Sequence, residues 1–139
     1  MKKLILFPLL MLSLLALNPG CATTKTDPTG VTVPMSKIEQ AQDAATKSVL
    51  SLGEVIIVAP GALKAARTAN YLTRDQFNDA VDIYNRALAS YSLLNKALQA
   101  TITAGVDPTS ATGYVAAMAT FVTDKALLDN IMTATGGIK

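Results

Sequence analysis

The chain has 139 residues with 12 basic and 10 acidic side chains, half of it hydrophobic, one cysteine, and neither histidine nor tryptophan. Those absences exclude histidine-based triads, histidine metal sites, cysteine–histidine pairs and any intrachain disulfide. A net charge of +2 offers no cationic surface of the kind that holds nucleic acid.

The chain opens with Lys2 and Lys3, followed by an apolar run from Leu4 to Leu17 broken only by Pro8 and Ser13. That run is short for a bilayer core, which takes about 20 helical residues to cross, so it reads as a cleaved signal peptide covering residues 1–20. Its end, Leu17-Asn18-Pro19-Gly20-Cys21, resembles the lipobox of bacterial lipoproteins. Gly20 and Cys21 match that pattern. Asn18 and Pro19 depart from it, and Leu17 stands one place before the aliphatic position.

The resemblance implies a diacylglycerol on the Cys21 thiol, cleavage just before it and acylation of the freed amine, with palmitate-like chains. Two or three such chains hold a protein stably on a membrane where one would not. Ala22, where an aspartate would signal retention, implies the outer membrane of a double-membraned cell. The periplasm-facing side is expected. Loss of Lys2 and Lys3 with the signal would leave ten basic against ten acidic side chains, so the positive excess belongs to the export segment.

Residues 21–34 are expected to form the lipidated N-terminus and a flexible tether. Ala22 to Pro34 is threonine-rich, holds Pro28, Gly30 and Pro34, and has no helical period. Fully extended at ~3.3 Å per residue it would reach about 40 Å.

Residues 35–139 are expected to fold as one helical domain. Ser36 with Glu39 has the form of a capping box, and Ile38, Ala41, Ala45, Val49, Leu52, Ile56 and Ala59 then recur at spacings of three and four. The run Val55-Ile56-Ile57-Val58 widens that stripe. Pro60-Gly61 should kink the helix or break it, with a short continuation to Tyr71, because proline lacks an amide donor and clashes with the preceding turn.

A second capping box, Thr73-Arg74-Asp75-Gln76, starts the next helix. Its expected face carries Phe77, Val81, Tyr84, Leu88, Tyr91, Asn95, Leu98 and Ile102, broadened by Ala80, Ile83, Ala87, Leu94 and Ala97. Gly105 should end it. Asp107-Pro108 should restart the helix as cap and first helical residue. One face then carries Tyr114, Met118, Phe121, Lys125, Leu128 and Met132, widened by Val115, Val122 and Leu127, before a stop at Gly136-Gly137.

Short connections between these segments argue for antiparallel neighbours. The expected fold is all-α: a small antiparallel bundle of three long segments, the first kinked or broken near Pro60.

No catalytic, cofactor-binding or metal site emerges. Asp79 and Asp82, like Glu39 and Asp43, have the spacing of a solvated helix face, and none follows a calcium-loop pattern. The expectation is therefore a non-enzymatic envelope lipoprotein that binds or positions another exported protein, or self-assembles, through apolar helical faces. Cys21 is the expected lipidation site, and Val55, Ile57, Val58, Tyr84 and Tyr91 are the candidate partner surface. Two alternatives stand beside it. One is a carrier of a small apolar ligand or lipid, lined by Met118 and Met132. The other is a prophage-encoded, lysis-associated lipoprotein, suggested by a loose resemblance to small alanine-rich helical lipoproteins from such regions.

Overall fold

The computed structural model describes residues 24–134, so the signal segment, Cys21 and Gly136-Gly137 lie outside the described residues. The chain divides at Ser36–Lys37 into two units.

In the first unit, the stretch read from sequence as an irregular tether holds a hairpin. Strand β1 (Thr24–Thr26) pairs antiparallel with β2 (Thr32–Pro34), with Thr24 opposite Pro34 and Thr26 opposite Thr32. The turn explains it. Pro28 supplies the fixed φ of the second turn position, and Gly30 takes a positive φ of 83°. The Gly30 amide donates to the Asp27 carbonyl at 3.0 Å. Asp27 Oδ1 accepts from the Thr29 amide, the Thr29 hydroxyl and the Val31 amide at 2.9, 2.6 and 3.0 Å. Strands this short show no alternation in sequence, so the Asp-Pro-Thr-Gly turn is their main local signal.

The second unit is a bundle of three long helices, α1 (Lys37–Thr68), α2 (Arg74–Ala104) and α3 (Thr112–Ala134). Helix α2 packs against both others, most extensively against α3, whereas α1 meets α3 sparingly. The pairing is antiparallel. From Gln42 to Gly53, α1 advances while its contacts on α2 retreat from Thr101 to Tyr91. Likewise Arg86 meets Asp124 and Tyr91 meets Phe121.

Helix α1 runs unbroken through Pro60, and the expected restart to Tyr71 is not formed. Buried Ile56, Ala59 and Leu63 on either side of Pro60 pack into the core and hold the helix together across the lost amide donor. Both α1 and α2 stop on a left-handed residue, Asn70 (φ 61°) and Gly105 (φ 65°). The Tyr71 amide donates back to the Ala66 carbonyl, and the Val106 amide to the Thr101 carbonyl, the six-to-one bond of a Schellman cap. The capping box at Thr73 forms in both directions.

The expected restart at Asp107 is only a 3-10 turn, Pro108–Ser110, with α3 beginning at Thr112. Asp107 Oδ1 accepts from the amide and hydroxyl of Thr109, as Asp27 does from Thr29. The tripeptide Asp-Pro-Thr thus builds the same local turn twice, and this side-chain bonding competes with helix continuation.

The buried lines are narrower than the expected faces. They run through Val49, Gly53, Ile56, Ala59, Leu63 and Ala66 on α1, and through Ala80, Ala87, Ser90, Leu94, Leu98 and Thr101 on α2. On α3 they run through Tyr114, Phe121, Asp124, Leu128 and Met132. On α2 this line is rotated from the expected one: Leu88 is exposed, and Phe77, Tyr84 and Tyr91 are half-buried. Val115, Val122 and Leu127, expected to widen the α3 face, point outward. Small residues at the line of closest approach let the backbones draw near, and the larger side chains then pack to either side.

Candidate interaction surface

Cys21 lies outside the described residues, and the other candidates divide between the core and the surface. Val55 is half-buried against the core, as are Tyr84 and Tyr91. Tyr91 packs its ring on Phe121 with centroids 5.2 Å apart and planes inclined at 48°. Its phenol occupies the space that a side chain on Gly53 would need. Tyr91 thereby joins all three helices within the molecule.

Ile57 and Val58 face out. Ile57 is 80% exposed and Val58 46%, and Leu50, two turns further back, is 62% exposed. Leu50, Glu54, Ile57, Gly61 and Lys64 follow one another at spacings of four and three, all exposed, on the side of α1 turned away from the core. A side chain at Gly61 would meet nothing within 4 Å, so the backbone is open there. Leu50, Glu54, Gly61 and Lys64 were not among the sequence candidates. The same three-four spacing that marks a core stripe marks this one, and only burial tells which stripe is the core.

Over an 18-residue window α1 reaches a mean hydropathy of 1.6, which by length and composition suffices to cross a membrane; 33% of that window is buried in the bundle. The Gln42 amide, on the same helix, donates to the Val106 carbonyl at 3.0 Å and supplies a partner at the end of α2. One side of α1 is thus taken up by the bundle, and the other carries the exposed stripe.

Several charged groups pair within the bundle. Arg86 donates to Asp124 Oδ1 at 2.9 Å, joining α2 to α3, with the Asp124 side chain 11% exposed. Lys47 pairs with Asp43 and Lys125 with Asp129, each along its own helix. Asp79 and Asp82 are exposed. Among the described residues no group of three or more acidic or cysteine side chains is placed to hold a metal ion. Burial pushes the Tyr114 phenol above its ordinary pKa.

No protein-family model matches the chain, nor does any curated protein or solved structure.

Proposed function

We propose that this chain is a non-enzymatic lipoprotein of the bacterial envelope, anchored through acyl chains on Cys21. Its helical bundle binds or positions another exported protein, or assembles with itself. The exposed Leu50–Ile57–Val58 stripe carries the reading, because it is an apolar surface on a helix whose opposite side is already committed to the core. The outer membrane, on the periplasmic side, is the location that Ala22 favours.

The hairpin bears on how far the domain would work from its anchor. With Thr24 paired to Pro34, residues 24–34 span only about 5 Å end to end rather than the ~36 Å of an extended chain. A tether shortened in this way favours a partner close to the anchoring membrane.

The test is direct. Mass spectrometry of the mature N-terminus should find an acylated Cys21, and Cys21→Ser should move the protein from the membrane to the soluble fraction. In-membrane cross-linking from position 57 should yield one stoichiometric adduct. An unmodified Cys21 refutes the anchor, and the absence of any stoichiometric adduct refutes the binding role.

A further inference from the structure

We infer that the exposed stripe of α1 is a self-complementary interface on which a second copy of this chain docks antiparallel. The inference names the partner within the self-assembly side of the reading above. It does not depend on the lipid.

The stripe runs Lys47, Leu50, Glu54, Ile57, Gly61, Lys64 and Thr68, spacings of three and four without interruption over the outer side of α1. The line has the spacing of a helix seam, with Leu50 and Ile57 as its large apolar members, Gly61 as its small one and Glu54 and Lys64 as its charges. Two of its three charges, Glu54 and Lys64, are arranged symmetrically about the level of residue 59, while Lys47 falls opposite the level of residue 71, past the end of α1. Glu54 lies five residues before that level and Lys64 five after it; Ile57 and Gly61 lie two before and two after. An antiparallel copy related by a two-fold axis at that level therefore sets Glu54 against Lys64 twice over. It also seats each Ile57 over the open backbone of the opposing Gly61. An isologous interface requires this reciprocity, in which one residue meets a second and the second meets the first.

Other occupants fit less well. In a parallel pair, Glu54 would face Glu54. On a lipid surface, Glu54 would be desolvated between Leu50 and Ile57, and a lipid tail offers it no cation. Among the described residues neither Glu54 nor Lys64 takes part in an ion pair within the chain, whereas Lys47 on the same stripe is paired with Asp43. Pro60 lies off the seam, and Gly61 and Ala65 leave room for close approach.

The experiment is a charge exchange in the full chain, purified in detergent, with self-association followed by sedimentation and helicity by circular dichroism. The wild type should be dimeric. Glu54→Lys or Lys64→Glu, each creating two like-charge contacts, should weaken dimerisation about tenfold. The double variant E54K/K64E should restore it to within about threefold of wild type. Should a reversal disturb the fold, Glu54→Gln, which removes only the charge, should still weaken the dimer. Restoration cannot arise from acyl chains sharing a micelle, since all variants carry the same N-terminus. A monomeric wild type, single variants that associate as wild type does, or a double variant as weak as the singles would each overturn the inference. Acylation of Cys21, measured on the same samples, reports separately on the anchor.

Discussion

Gly53 on α1 and the Tyr91 phenol on α2 occupy adjoining space, so that a methyl group on residue 53 would overlap the phenol oxygen and the ring carbons beside it. Tyr91 is pinned on its other side by Phe121. A residue without a side chain on one helix thus admits an aromatic ring from the second, which in turn packs on the third. That relay ties all three helices together.

Gly53→Ala should therefore destabilise the fold by about 1–2 kcal/mol, overpacking outweighing the better helix propensity of alanine. In a Tyr91→Leu background the sign should reverse. With the ring gone, alanine should stabilise by about 0.5–1 kcal/mol, as at an unconstrained helical site. A double-mutant cycle from urea denaturation reads the coupling; additive effects would dissolve the relationship.

Pro60 sits exposed inside a continuous helix. Pro60→Ala restores a backbone donor and removes the clash with the preceding turn, and should raise stability by about 2 kcal/mol. Thermal denaturation monitored by helicity is the check. A lower midpoint would mean that the bundle packs only because proline bends α1.

Arg86→Ala removes the cation that partners Asp124 across α2 and α3. A fully buried pair broken in this way costs 3–5 kcal/mol. Here the arginine side chain is 63% exposed and the pair is screened by solvent, so about 1 kcal/mol is expected. The difference from wild type should shrink as salt is added. Insensitivity to salt would point to lost packing of the arginine stem.

Acid should loosen the hairpin as Asp27 takes up its proton. The Thr29 hydroxyl, then the Val31 amide, hold the Asp27 carboxyl below its ordinary pKa. A depressed folded value places the full stabilising effect above the unfolded pKa and removes it as pH falls through the folded one. The Thr29 and Val31 amide resonances should titrate together in that acidic range. Asp27→Asn should abolish the titration while keeping an acceptor oxygen.

Much of the architecture follows from signals within a few residues of one another. Thr73 and Gln76 form their capping box, Gly105 takes the left-handed turn, and three apolar-periodic segments become three antiparallel helices, because caps and periodicity are local properties of the chain. Which part of a wide apolar face is buried is not local. Leu88, Val115 and Val122 satisfy the same spacing as buried residues yet lie outside, while Ser90 and Asp124 lie inside. Approach of the neighbouring helix decides this, and it favours small side chains where backbones come closest. The candidate surface divided for the same reason. Tyr91 was drawn inward by Gly53 and Phe121, and Ile57 was left outside with Leu50, Glu54 and Lys64. Spacing determined that α1 is apolar-periodic; packing against α2 determined which of its faces remained free.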